Sequence, residues 1–314
     1  MPLPGKSAAQ KWAESSSLAA DMVAAGSFDL AMHLLNRQLG IVNFAPLKPA
    51  FLALYNYTHV LVPHLPGLDP IRSPLLRGSN KEEKTNGPLL CYTLANCIET
   101  LKTGYKAVSE GSFQKALENF LKIIRMIPLI VVEKKAAVQE VMELVAICKE
   151  YITAMRLELL RKDTEDPVRQ AALSAYFTQC KVQLPHLILG LRVAIKCNYS
   201  IQNLKTASGF CRRVLEMVST SSNAASLENI ANPKQIRQVL TACEKSNTDA
   251  KAIDFSETSA LQLCAETFTP IPRTHSAVRC PYCGSSYKQE FADSLCRTCQ
   301  LAQIGAQVTN SHIT

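Results

Sequence analysis

The chain has 314 residues, a net charge of +8, 47% hydrophobic and 19% charged residues, and one tryptophan, Trp12. That length buries one large core or two, and the balance excludes a disordered polymer and, through its few aromatics, a glycan- or base-stacking platform. No apolar run approaches the roughly 18 residues a bilayer-crossing helix needs, and the opening MPLPGKSAAQKW lacks the apolar stretch of a secretory leader, so the reading is a soluble cytosolic protein.

Two stretches resemble each other, AAGSFDLAMHLL at Ala24 to Leu35 and SEGSFQKALENF at Ser109 to Phe120. Each carries Gly-Ser-Phe with an alanine three residues after the Phe, and each follows a helical pattern. Before the second, Leu90, Leu94, Cys97, Ile98, Leu101, Tyr105 and Val108 recur at three- and four-residue spacing. The pattern predicts a helix, a tight turn at Gly111, then a second helix. The small Ala116 lets the pair approach, while Phe113, Leu117, Phe120 and Ile124 fill the space between. This is tetratricopeptide-like packing, but the two glycines stand 85 residues apart, not near that repeat's period of about 34. The units are irregular hairpins.

Between them, a short helix at about Pro46 to Tyr57 gives way to a proline-rich apolar stretch at about 58–90. Pro63, Pro66, Pro70 and Pro74 forbid a helix there, so the arm is extended. Val60, Leu61, Val62, Leu65, Leu68, Ile71, Leu75 and Leu76 make it costly to leave in water, which marks them as candidate partner-binding residues. Two dispositions stay open: an arm folded back on its own helices, or a hairpin-like arm gripped by the concave face of a helical-repeat partner.

Downstream, helices are predicted at about Lys134 to Arg161, Pro167 to Cys180, Pro185 to Cys197, Ile201 to Val218 and Pro233 to Glu244, with Pro167 and Pro185 suited to first turns. Ser219 to Leu227, small and polar, reads as a loop. Past Ser246 the helical period fades and short strands and turns are expected. The predicted fold is mainly α. Irregular tetratricopeptide-like hairpins forming an α-solenoid occupy residues 1–245, with the extended arm, and a small β-rich, zinc-ribbon-like module occupies 246–314.

Eight scattered cysteines read as reduced core residues. The other four lie in two CxxC pairs, Cys280-Pro-Tyr-Cys283 and Cys296-Arg-Thr-Cys299, with twelve residues between. Each short turn aims two thiolates at one point, so Cys280, Cys283, Cys296 and Cys299 are candidate ligands of one structural zinc ion with no open coordination position. The alternative is four reduced thiols in a module held by its own packing. The intervening loop GSSYKQEFADSL sets one lysine against Glu290 and Asp293, which disfavours a phosphate backbone as partner. From Thr220 onward eight basic residues meet eight acidic ones, so the basic excess lies earlier and reads as solvated surface, with acidic partners or anionic lipid as alternatives. His33, His59, His64, His186, His275 and His312 have no partner at a catalytic spacing, and there is no GxGxxG, Walker or GxSxG motif. A non-enzyme is expected.

Long stretches of the chain resemble the carboxy-terminal region of the alpha subunit of coatomer, a vesicle coat. The likeness is carried by AGSFDLAMHLLNRQLGIV (25–42), GSFQKALENFLKIIRMIPLIVV (111–132), ICKEYI (147–152), LSAYFTQC (173–180) and ACEKSNTDA (242–250), and it covers about Trp12 to Gly305. The resemblance implies a coat-assembly role in Golgi-to-endoplasmic-reticulum and intra-Golgi transport. It also implies pairing with the tetratricopeptide epsilon subunit, contact with other coat subunits, and a cytoplasmic location peripheral to Golgi and vesicle membranes. The propellers that read cargo in that family are absent here, so the chain reads as a piece of a longer subunit. A zinc-ribbon adaptor recruiting acidic partners or nucleic acid is the competing function.

Overall fold

The computed structural model describes residues 5–62, 67, 71–77, 87–132, 135–221, 224–246, 248–256, 262–272, 274 and 276–309. It is mainly helical. Four helices come first: α1 (Ala8–Ser15), α2 (Ala19–Ala24), α3 (Phe28–Leu39) and, after a 3₁₀ turn, α4 (Lys48–Tyr57). The two strands β1 (His59–Val62) and β2 (Ile71–Pro74) follow. Then come α5 (Leu94–Ser109), α6 (Phe113–Met126), α7 (Lys135–Asp163), α8 (Pro167–Phe177), α9 (Leu184–Ser200), α10 (Leu204–Thr220), α11 (Ala224–Ala231) and α12 (Pro233–Glu244). Strands β3 (Val278–Arg279) and β4 (Ser286–Tyr287) lie in the tail. No helix among the described residues is long and apolar enough to cross a membrane.

The helices start where local chemistry favours it. Asp166 caps α8 by accepting from the Val168 and Arg169 amides at 3.0 and 3.2 Å, and Pro167 occupies a first-turn position where no amide donor is needed. Pro185 and Pro233 serve α9 and α12 alike. Two predictions need correction. The stretch Ser219 to Leu227 is not a plain loop, because α10 runs to Thr220 and α11 opens at Ala224; Leu227 and Ala231 are buried, and that burial overrides the small polar composition. The tail is turn-rich and not β-rich: its described β-structure is the two-residue pair β3–β4 and a few single bridges.

The tight turn at Gly111 is present, and so is its counterpart at Gly26. Both glycines have left-handed φ, +78° at Gly26 and +74° at Gly111, which only glycine adopts at little cost. In both, the glycine amide donates to the carbonyl three residues back and the following serine amide to the one five back. A third turn has the same pattern: Gln202 N–H donates to Tyr199 O, Asn203 N–H to Asn198 O, and Ala207 N–H to Asn203 O. There Gln202 takes the glycine's place at φ +63°, and Ala207, three residues after Leu204, is buried like Ala31 and Ala116.

One apolar cluster joins α2 to α8 and includes the buried residues of the tail, among them Tyr282, Tyr287, Leu301 and the four terminal cysteines. A second cluster lies among α8 to α12. Ile253 and Phe255 pack against both. Phe120 and Ile124 are wholly buried and Phe113 half-buried, as the hairpin packing requires. Of the eight scattered cysteines, Cys97, Cys148, Cys180, Cys211, Cys243 and Cys264 are buried free thiols, and Cys91 and Cys197 are half-buried. Burial pushes the Cys97 thiol up to about 11 and Cys211 to about 12, so both stay protonated and inert at neutral pH.

Candidate functional site

The two CxxC turns are built alike. Gly284 N–H donates to Cys280 O at 3.0 Å, and Gln300 N–H to Cys296 O at 2.8 Å. Gly284 and Gln300, each directly after a knuckle's second cysteine, adopt φ of +69° and +62°. The return strands close the turns: Cys280 N–H bonds to Ser285 O at 3.0 Å and Cys296 N–H to Ala302 O at 2.8 Å. The result brings all four sequence-predicted cysteines together. Their sulfurs lie within 4.8 Å of one another and every residue is buried. Cys280 and Cys299 sulfurs are 3.9 Å apart, and those of Cys283 and Cys296 3.5 Å. A tetrahedral ion with metal–sulfur bonds of about 2.3 Å requires sulfur–sulfur edges of roughly 3.8 Å. The donor set and its spacing fit a tetrahedral metal ion.

The electrostatics suit the same purpose. Burial pushes the Cys283 thiol well up. Burial alone would raise Cys296 too, but hydrogen bonds from Cys280, Cys283, Cys299 and Tyr287 win and hold it well below the ordinary thiol value. The Tyr287 hydroxyl lies 3.1 Å from the Cys296 sulfur and accepts the Thr298 amide at 3.2 Å, leaving its proton for the sulfur. Four thiolates this close in a dry interior repel one another strongly, and a divalent cation is what makes full ionisation tolerable.

The cluster is not a free-standing ribbon. Tyr282 donates to Ile124 O at 2.6 Å. That carbonyl lies four residues before Pro128, which has no amide proton to give it, so the tail tyrosine satisfies an acceptor that α6 leaves open. Arg125 of α6 donates to Gln300 Oε1 at 3.0 Å, and Arg156 of α7 donates to the carbonyl of Arg297 inside the second knuckle. The Val42 and Asn43 amides both donate to Leu301 O, at 2.9 and 3.0 Å.

The extended arm forms an antiparallel hairpin in which His59 faces Pro74, Val60 faces Ser73, Leu61 faces Arg72 and Val62 faces Ile71. A third extended piece continues it, with Leu89 N–H bonded to Leu75 O and Arg77 N–H to Gly87 O, both at 2.9 Å. Val60, Leu61 and Val62 are 42%, 64% and 42% exposed, and Leu76 is 51% exposed. Leu75 is half-buried; Leu65 and Leu68 lie outside the described residues. Because successive side chains on a strand point to opposite faces, β1 exposes apolar side chains on both, Val60 and Val62 on one and Leu61 on the other, where His59 and Arg72 also lie against Tyr55. Leu52 and Tyr57, 55% and 50% exposed on α4, extend the patch. Sequence reasoning passed over them, although apolar residues all round a ten-residue helix, with Phe51 and Leu54 on the buried side, were a legible sign.

His186 is the one buried histidine among the described residues, and it borders a cavity of about 700 Å³ between the α5–α6 turn, α9 and α12. Its Nδ1 is 2.8 Å from the Tyr151 hydroxyl and its Nε2 3.0 Å from Ser109 Oγ. Tyr151 oxygen already accepts the Gln183 amide at 2.9 Å. The assignment satisfying every donor has Tyr151 donating to Nδ1, Nε2–H donating to Ser109, and Ser109 donating to Tyr105 O at 3.2 Å. The imidazole therefore gives a proton to the serine, the reverse of an activated nucleophile. Burial lowers the His186 pKa.

The family described as the C-terminus of the coatomer (COPI) alpha subunit matches residues 1–314. The chain belongs to that family. Among similar proteins are coatomer subunit alpha-1 and alpha-2 of Arabidopsis thaliana, 41% and 39% identical over 312 residues, and coatomer subunit alpha-3 of Oryza sativa subsp. japonica, 40% identical over 312. Each alignment covers 98% of this chain and 25% of the relative, so the chain spans about a quarter of the length of the curated relatives it matches. Within this coatomer family member, the segment between α3 and α4 bonds to the second knuckle, and α4 leads directly into the exposed hairpin.

Proposed function

We propose that this chain is a structural interaction domain of the coatomer vesicle coat, without catalytic activity, in which the β1–β2 hairpin engages the tetratricopeptide epsilon subunit. The observation that carries this reading is strand β1, whose consecutive Val60, Leu61 and Val62 are exposed on alternating faces. A flat partner could bury only one face, whereas the concave groove of a helical-repeat protein encloses both. Val60, Leu61, Val62 and Leu76, each about half exposed, would gain on the order of 1 kcal/mol apiece from full burial before ordering costs, which together help anchor a subunit. Family membership supports the coat role, contact with other coat subunits, and a cytoplasmic station peripheral to Golgi and vesicle membranes in Golgi-to-endoplasmic-reticulum and intra-Golgi transport. The reversed hydrogen-bond direction at His186 supports the absence of catalysis.

The four cysteines, in this reading, bind one structural zinc ion, since soft thiolates select it and a filled tetrahedron leaves no site for substrate. The competing adaptor function loses support because the knuckles are buried against α6 and α7 and the exposed loop between them carries Glu290 and Asp293, which disfavour acidic partners and nucleic acid. The test is Leu61→Asp combined with Val62→Asp, one charge on each face, assayed by calorimetric titration with purified epsilon subunit. The expected outcome is loss of detectable heterodimer with unchanged circular dichroism of the isolated chain. Wild-type affinity in the double variant sinks the hairpin as anchor.

A further inference from the structure

We propose that the four-cysteine centre is a metal-dependent clasp for the root of the hairpin, so that metal occupancy sets the order of the partner-facing surface. This rests on the metal reading above and deepens it. The second knuckle is the backbone partner of the segment between α3 and α4. Val42 and Asn43 donate to Leu301 O, Gln303 N–H donates to Gly40 O at 2.9 Å, and Ile41 sits opposite Ala302. Asn43 is the joint. Its Nδ2 donates to Gln300 O at 3.0 Å while its Oδ1 accepts the Ala45 amide at 3.2 Å, at the start of the turn that launches α4. From α4 the chain passes through Thr58, whose carbonyl accepts Leu75 N–H at 2.7 Å, directly into β1.

What transmits the metal's state is Gln300. It follows Cys299 and holds a left-handed backbone that a side chain with a Cβ adopts only at a cost of about 1 kcal/mol or more. Such a conformation persists where its surroundings over-determine it, and here Gln300 closes the knuckle directly after Cys299, its amide bonded to Cys296 O at 2.8 Å. With the metal withdrawn, no bond ties the two knuckles' sulfurs to a common point, and Gln300 is released. Its carbonyl and that of Leu301, the acceptors for Asn43 and Val42, then turn away. Val42 is 45% exposed, so hydrogen bonds and not burial of its side chain hold that position. Helices α9 and α10 belong to the second apolar cluster and lie outside this path.

The experiment is hydrogen exchange read by mass spectrometry on the full chain loaded with zinc, before and after an excess of chelator, with zinc content measured in parallel. Exchange in peptides covering 40–43 is expected to rise about tenfold or more, with a smaller rise through 48–62 and none in α9 or α10. Asn43→Ala is expected to raise exchange at 45–62 with zinc still bound one to one. Stoichiometric zinc with unchanged exchange at 40–62 after its removal overturns the clasp, as does an equal rise in α9 and α10. A chain that binds no zinc overturns the metal reading itself, an outcome told apart by metal content alone.

Discussion

The hairpin and the four-cysteine tail are both built without helices, yet they meet water in opposite ways. At β1 an ordered backbone ladder presents three consecutive apolar side chains to solvent. In the tail, four polarisable thiols and two tyrosine hydroxyls are packed out of solvent behind a few two-residue pairings. The hairpin has paired its backbone and left apolar side chains exposed; the tail has buried four thiols close together. In the proposed reading each region is completed by something else, an apolar concave surface in one case and a cation in the other. Regular secondary structure is a poor guide to which parts of a chain finish their own energetics, and burial with chemical type is a better one.

The largest effect that would sharpen this contrast comes from Cys296→Ser. Structural tetrathiolate sites contribute on the order of 10 kcal/mol, so removing one ligand is expected to abolish stoichiometric zinc and lower the melting temperature by more than about 5 °C. The matched change in the hairpin, Val60→Ser with Leu61→Ser, is expected to leave stability within about 0.5 kcal/mol. Calorimetry of the two variants side by side checks both, and comparable destabilisation by each would break the contrast.

A middle-sized effect is expected from Tyr282→Phe. It strands the Ile124 carbonyl beside Pro128, and a buried acceptor left without a donor costs about 1–3 kcal/mol. Urea melts report it, and an unchanged midpoint would mean the tail does not brace α6 through this bond. The smallest effect runs the other way. Gln202→Gly relieves the left-handed residue of the third turn and is expected to stabilise the chain by up to about 1 kcal/mol, whereas the same change at Gln300 would loosen a knuckle that needs a fixed shape.

The third turn shows how far pattern reading reached. Gly26 and Gly111 announced two hairpins because glycine is the residue that a left-handed turn selects. Gln202 makes the same turn without the signature, held by the bonds of Asn203 to residues 198 and 251 and of Thr206 to Asp249, so no glycine betrayed it. Tail and arm differ likewise. Two CxxC pairs at fixed spacing carry their chemistry in the sequence, since the knuckle is a local structure, and four prolines declare an extended arm because each removes a donor. Neither pattern says what lies against it: Tyr282 seeking the acceptor beside Pro128, Arg156 reaching Arg297, and the 40–43 segment pairing with 301–303 join residues far apart in the chain.

By itself the sequence determined the helical stripes, the two glycine turns, the non-helical arm and the four candidate ligand cysteines, because each follows from the geometry or covalent limits of residues close together. The tertiary structure alone decided that β1 exposes apolar side chains on both faces, that the tail is docked on α3, α6 and α7, and that a left-handed Gln300 links the second knuckle to Asn43. Those are matters of long-range burial and hydrogen-bond satisfaction, which depend on which distant groups the whole chain brings into contact.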